Sequence, residues 1–359
     1  MTTPRTEIVS SKLSTLDRYL PVWIGLAMGT GLMLGRVIPD LNHSLERVKV
    51  DTVSLPIAIG LLAMMYPVLA KVRYGRIGDE LVDRRTLGLS LVLNWVLGPA
   101  LMFTLAWVFL ADLPELRTGL IIVGLARCIA MVLIWNDLAR GSRELAAGLV
   151  AINSVFQIFM YSVLGWFYLS VLPGWLGLDT AALRVSIWEI ARSVLIFLGI
   201  PLAAGFLTRT IGEARKGRDW YEQTFLPRIG PVALWGLLFT IVVLFALQGE
   251  KITTHPLDVA RVAIPLLVYF ALMWGGSFFA GYRLRFPYGR NAAVAFTAAG
   301  NNFELAIAVS IAVFGVTSGQ ALAGTIGPLI EVPALIALVY VSLWARRRYY
   351  AMSDEEATP

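Results

Sequence analysis

The single cysteine of this 359-residue chain, Cys128, follows an arginine, Arg127, in the run Gly124-Leu-Ala-Arg-Cys-Ile-Ala-Met-Val-Leu-Ile-Trp-Asn136. Apart from these two residues and its ends, that run is apolar enough to lie inside a bilayer. A charge at such depth is expensive and marks a functional site. A thiol is a soft donor that favours soft partners, although a lone cysteine also packs as a small hydrophobe. A second stretch, Gly300-Asn301-Asn302-Phe303-Glu304, sets two small amides ahead of a carboxylate in another apolar run. Glu331 sits between Pro328 and Pro333 in a third. It could line a cavity, relay a proton, or satisfy backbone groups that the prolines free. Asn153 and Gln157 share one helix face at i, i+4, suited to a substrate or to interhelical hydrogen bonding. Arg127 could neutralise an anion or the Glu304 carboxylate, or serve as a structural counter-charge. Neighbours on a helix stand about 100° apart, so Arg127 and Cys128 do not both face one small cavity squarely.

These residues must be positioned by membrane helices. The chain is 57% hydrophobic and 15% charged, well below the charged share of a soluble domain. Apolar runs long enough to cross a hydrocarbon core recur throughout. Hydropathy predicts ten spans, near 18–38, 53–72, 86–110, 118–136, 145–171, 185–208, 230–248, 258–281, 291–314 and 320–344. Little chain remains for a soluble domain. The polar segment Met1 to Asp17 lacks the apolar core of a cleavable signal. Of 30 basic residues, 21 fall on the side of the membrane that holds both termini, which the positive-inside rule makes cytoplasmic. That bias includes the cluster Arg209, Arg215, Lys216 and Arg218, read as a loop. The net charge of +6 is therefore a topology signal and not a nucleic-acid footprint. One cysteine excludes an internal disulfide and any multi-cysteine metal site. Both histidines, His43 and His255, fall in short polar loops, so no histidine base stands beside Cys128. No cofactor motif is present.

The chain also repeats itself. Trp23–Gly31 resembles Phe197–Gly205 at an offset of 174, Leu55–Ala58 resembles Gly230–Ala233 at 175, and Ala146–Gly148 resembles Leu322–Gly324 at 176. Gly124 meets Gly300 at that last offset, which carries Cys128 onto Glu304. Five spans per copy is odd, so the second copy enters the membrane inverted, as in many secondary transporters whose sites lie on paired, interrupted helices. The expected architecture is all-α and polytopic, with repeats over residues 1–175 and 176–359.

Gly124–Asn136, Asn301–Val309 and Gly327-Pro-Leu-Ile-Glu-Val-Pro333 resemble, over the whole chain, the ACR3 family of arsenite efflux permeases. The resemblance implies a panel and a core domain, with helices four and nine interrupted and crossing. It maps the family's essential cysteine to Cys128 and its essential ninth-helix glutamate to Glu304. It implies a carrier in the inner membrane of a bacterium that moves As(OH)3, and the antimony analogue, out of the cytoplasm. Expelling a neutral solute requires a driving ion, and the expected one is a proton exchanged at Glu304. A sodium-coupled organic-anion symporter on the same fold is the main alternative, with Asn301, Asn302 and Glu304 as oxygen ligands. An intramembrane cysteine enzyme lacks a base and leaves the repeat without a reason, and a passive channel would differ in counterflow kinetics.

Overall fold

The computed structural model describes residues 19–38, 49–50, 53–72, 83–129, 131–178, 186–254 and 256–350. His43 and His255 lie outside them. In chain order the helices are α1 (Leu20–Val37), α2 (Leu55–Ala70), α3 (Arg84–Phe109), α4 (Pro114–Leu125), α5 (Met131–Leu138) and α6 (Arg143–Trp175). They continue as α7 (Ile187–Lys216), α8 (Arg218–Leu247), α9 (Pro256–Arg283), α10 (Tyr288–Ala299), α11 (Phe303–Phe314) and α12 (Gly319–Tyr350). A two-residue hairpin, Lys49–Val50 against Val53–Ser54, precedes α2. Among the described residues six helices, α3, α6, α7, α8, α9 and α12, are long and apolar enough to cross a membrane. The protein is a multi-pass membrane protein.

Two expected spans are each split. Residues 118–136 become α4 and α5, and residues 291–314 become α10 and α11. The basic cluster after residue 208 is not a loop. Helix α7 runs on to Lys216 and α8 begins at Arg218, with the turn confined to Gly217 at φ 85°, a left-handed conformation that favours glycine. Charge pairing one turn apart keeps these polar ends helical: Arg209 meets Glu213 at 2.7 Å and Arg218 meets Glu222 at 3.1 Å.

Prolines shape the spans without ending them. Four single π-helical turns, Leu93–Leu97, Phe167–Val171, Leu195–Gly199 and Tyr221–Phe225, stop two residues before Pro99, Pro173, Pro201 and Pro227. A proline ring displaces the carbonyl four residues back and supplies no N–H, and one wide turn absorbs the mismatch. Glu331 likewise lies in a continuous helix, with Pro328 and Pro333 inside it.

The helices pack as two groups. In one, α1 lies along α8, and α2 lies against α8 and α7. Gly31 permits the α1–α8 approach, since a Cβ there would stand 2.8 Å from the Phe245 Cβ. Small residues at such contacts are how apolar helices gain packing where lipid competes for side chains. In the other group α3, α4, α9, α10, α11 and α12 pack together, with α6 against α10 and α7 bridging to α6 and α11.

Ion pairs tie the second group at helix ends. Arg290, on α10, bonds Asp83, which also caps α3 by accepting the Arg85 N–H at 3.0 Å and the Thr86 hydroxyl at 2.9 Å. Arg261, on α9, bonds both carboxylate oxygens of Asp112, just ahead of α4, and the Phe109 carbonyl. Asp83→Ala is expected to cost about 1 kcal/mol through the lost cap, read as a lower thermal midpoint of the detergent-solubilised protein. The Thr86 hydroxyl, the Arg85 N–H and Arg290 hold the Asp83 carboxyl below the ordinary aspartate range. The cap's contribution is therefore complete above that range and is lost as pH falls through the lowered folded value. The gap between wild type and variant should close in acid and stay open at neutral pH.

Candidate functional site

The two breaks meet. Helix α4 ends at Leu125 with Ala126 extended (φ −84°, ψ 120°), and α10 ends at Ala299 with Gly300 extended (φ −71°, ψ 143°). The strands they release pair antiparallel, with Arg127 opposite Asn301. The Cys128 N–H donates to the Gly300 carbonyl at 3.2 Å, and the Asn302 N–H donates to the Ala126 carbonyl at 3.1 Å. Between these bonds Arg127 and Asn301 form a non-hydrogen-bonded pair, so their own N–H groups point outward. The Arg127 N–H donates to Gln157 Oε1 at 2.9 Å, and the Asn301 N–H to Glu331 Oε1 at 3.3 Å.

The second break is written in its residues. Glycine and asparagine are poor helix formers and good cap formers. Asn302 caps α11 by accepting the Leu305 N–H at 3.0 Å, and Asn301 Nδ2 donates to the last carbonyls of α4, Val123 at 2.9 Å and Ala126 at 3.3 Å. Two further groups serve α4. The Tyr161 hydroxyl donates to the Ile122 carbonyl at 2.9 Å, and Arg127 Nη2 donates to the Gly124 carbonyl. Arg127 Nη1 donates to the Tyr269 hydroxyl at 2.9 Å. This cation thus sits at a helix C-terminus, where the helix dipole favours it, and it is fully buried. The acceptors of its guanidinium, the Gly124 carbonyl and the Tyr269 hydroxyl, are both neutral.

A cavity of about 470 Å³ reaches this crossing. Its walls are largely apolar, formed by Met64 and Val68 of α2, Met131 and Ile134 of α5, and Leu234 and Leu237 of α8, with Ile129 from the break. Glu304 faces it from the first turn of α11. Lys71, Asp137, Arg143 and Glu144 line it at helix ends, with Arg143 and Asp137 paired at 2.7 Å and well exposed. Cys128 adjoins Ile129 but is itself buried, packed on Gly300, where an added Cβ would come within 2.8 Å of the Cys128 Cβ and 3.4 Å of its Sγ.

The structure thus gathers Arg127, Cys128, Gln157, Asn301, Asn302 and Glu331 around one crossing, with Glu304 a turn away on the cavity wall. Asn153 stands apart. It accepts the Trp95 indole N–H at 3.2 Å and reaches the crossing only through its carbonyl, which accepts Gln157 Nε2 at 3.3 Å. Hydrogen bonding opposes Arg127 to Asn301, 174 residues apart, while the N-caps Ser142 and Ser318 stand 176 apart. Tyr269, Tyr161 and Gly98 were not singled out from sequence. An isolated tyrosine or glycine in an apolar helix carries no local signal.

Residues 58–255 match the Sodium Bile acid symporter family. An arsenical-resistance protein Acr3 of Corynebacterium glutamicum is 60% identical over 340 residues, covering 95% of this chain and 92% of that protein. The chain belongs to the Acr3 family. An arsenical-resistance protein Acr3 of Alkaliphilus metalliredigens is 30% identical over 94% of this chain and 95% of its own length. An uncharacterized transporter of Synechocystis is 35% identical over 94% and 91%. The chain is accordingly a transporter and not an enzyme.

Close contact at the crossing generates a prediction. An added Cβ at Gly98 would lie 2.6 Å from Arg127 Nη1, and one at Gly300 would press Cys128. Gly300→Ala and Gly98→Ala are each expected to cost about 1–3 kcal/mol by overpacking, whereas Gly275→Ala, with nothing within 4 Å of the new Cβ, should leave the thermal midpoint unchanged.

Proposed function

We propose that the protein exports trivalent arsenic, and its antimony analogue, from the cytoplasm by proton antiport. The observation that carries the reading is the position of Cys128 and Glu304, one beside the paired breaks and one on the wall of the cavity that reaches them. The names of the Corynebacterium and Alkaliphilus relatives support the substrate. As(OH)3 meets the Cys128 thiol, a sulfur–arsenic bond forms, an arsenic–oxygen bond breaks, and the thiol proton leaves with the hydroxyl as water. The step reverses by the same route. Several thiolates would hold arsenic firmly, whereas one permits release, which transport requires.

Glu304 is the coupling carboxylate in this reading. It takes a proton from outside as substrate leaves and yields it inside as substrate enters, and each inward charge gains about 2.3 kcal/mol per 100 mV. Arg127, Asn301 and Asn302 hold the backbone around the two reactive groups. The charged mouth of the cavity, Lys71, Asp137, Arg143 and Glu144, belongs to loop ends that the basic-residue bias assigns to the cytoplasm. The cavity is then open inward, both termini are cytoplasmic, and the membrane is a bacterial plasma membrane.

The ten-span plan of two inverted repeats, residues 1–175 and 176–359, belongs to the same proposal. Paired contacts support it. Ser142 N–H donates to the Gly289 carbonyl at 2.8 Å, while the Gly319 N–H donates to Glu115 at 2.8 Å. The ion pairs Asp83–Arg290 and Asp112–Arg261 each join the first half of the chain to the second. The family match to sodium symporters favours one second reading, in which sodium drives transport.

In everted vesicles, arsenite uptake is expected to follow an imposed proton gradient and to ignore a sodium gradient; the opposite result would establish the second reading. Cys128→Ser should reduce uptake to the level of vesicles without the protein, and retained uptake at equal abundance would refute thiol ligation. Glu304→Gln should abolish proton-driven uptake; full retention removes Glu304 from coupling.

A further inference from the structure

Two peptide planes form the centre of the crossing. The Ala126–Arg127 peptide gives its carbonyl to the Asn302 N–H and its own N–H to Gln157 Oε1 at 2.9 Å. The Gly300–Asn301 peptide gives its carbonyl to the Cys128 N–H and its own N–H to Glu331 Oε1 at 3.3 Å. A peptide is planar, so a bond at each end fixes its tilt. Each side-chain acceptor lies thirty residues beyond the donor it serves, and both are buried. One acceptor is an amide and the other a carboxylic group, so what they share is one oxygen and not a charge. The Gln157 oxygen is itself aimed, because its Nε2 is held by the Asn153 carbonyl at 3.3 Å.

We propose that Gln157 and Glu331 are equivalent positioning residues that pin the two central peptides of the crossing, Gln157 orienting the Cys128 thiol and Glu331 orienting the start of α11 with Glu304. Neither contacts the substrate. Pinning the Ala126–Arg127 peptide sets the direction in which the next side chain, Cys128, leaves the strand and packs on Gly300. Pinning the Gly300–Asn301 peptide sets Asn302, whose side chain caps α11 at Leu305, and through that cap the first turn on which Glu304 stands. On this account Glu331 serves as an acceptor, and an amide in its place serves as well, as Gln157 does in the other half.

The chain holds one cysteine, so alkylation by N-ethylmaleimide in membrane vesicles reports on Cys128 alone. The uptake arm rests on the arsenite reading, while the alkylation arm does not. Gln157→Leu strands a buried N–H and is expected to raise the KM for arsenite about tenfold, with Vmax per transporter within about twofold, and to speed Cys128 alkylation about tenfold. Gln157→Glu, Glu331→Gln and the double exchange keep an acceptor oxygen and should hold KM and alkylation rate within about threefold of wild type. The proposal is overturned if Gln157→Leu, at matched membrane abundance, alkylates at the wild-type rate, or if Gln157→Glu behaves like Gln157→Leu. Should the leucine variant fail to reach the membrane, the double exchange decides: an alkylation rate changed more than about tenfold refutes equivalence. Absence of arsenite uptake in the wild type, with the alkylation pattern as expected, would fault the substrate and leave the positioning role standing.

Discussion

Helices α4 and α10 stop inside the apolar interior, and each stop strands backbone groups where no water is available. In that setting an unsatisfied N–H or C=O costs several kcal/mol. The chain meets the constraint by turning the two stops toward each other, so that the deficits of one strand are met by the other. What pairing leaves over is met from neighbouring helices: Gln157 from α6, Glu331 from α12, Tyr161 from α6, and the guanidinium of Arg127 folded back onto α4. The polar residues that look anomalous in these apolar spans are mostly this completion. An expensive arginine in the membrane here donates to the C-terminal end of the helix before it.

This explains why the crossing belongs wholly to one group of helices. Every bond that closes it runs among α4, α6, α9, α10, α11 and α12 and the two breaks, and the ion pairs Asp83–Arg290 and Asp112–Arg261 add ties at helix ends of that same group. The cavity, by contrast, has walls from both groups, with α2 and α8 on one side and α5, α6 and α11 on the other. A displacement of α1, α2 and α8 against the remainder would reshape the cavity without breaking a hydrogen bond at the crossing. Between α2 and α7 the approach depends on Gly205, where an added Cβ would stand 2.8 Å from the Ala70 nitrogen, and Arg209 of α7 reaches the Lys71 carbonyl at 3.4 Å.

How much of this was legible depended on whether the signal was local. The second break is visible in Gly300-Asn301-Asn302, because each residue type disfavours helix interior and Asn302 can cap. The first break, Ala126-Arg127-Cys128-Ile129, contains no such residue and is met by its partner; the repeat hints at it and the family resemblance implies it. The offset of 176 rests on Ala146–Gly148 with Leu322–Gly324 and on Gly124 with Gly300, whereas the bridged residues Arg127 and Asn301 stand 174 apart. Pro328 and Pro333 suggest a place where backbone bonds are lost, yet the helix that holds them is continuous. Helical extension of α7 to Lys216 was hidden because hydropathy registers apolar length and not the i, i+4 pairing that carries a polar turn. Tyr269 enters the site only through a contact 142 residues distant in sequence.

The residues that follow the paired positions Arg127 and Asn301 are Cys128 and Asn302, and they differ chemically. The asparagine spends its side-chain oxygen on the Leu305 N–H, so α11 begins at once, at Phe303. A thiol is a poor cap, since sulfur accepts hydrogen bonds weakly. Ile129, next in the chain, lies on the cavity wall. Sulfur leaves a soft donor beside the crossing and supplies no strong acceptor to the helix that follows. The helix that does start promptly brings its own first-turn carboxylate, Glu304, to the same wall, at the end of a helix whose dipole favours negative charge. Thiol and carboxylate thus stand beside one pair of crossed breaks, and the difference between the two sides follows from which residue can cap.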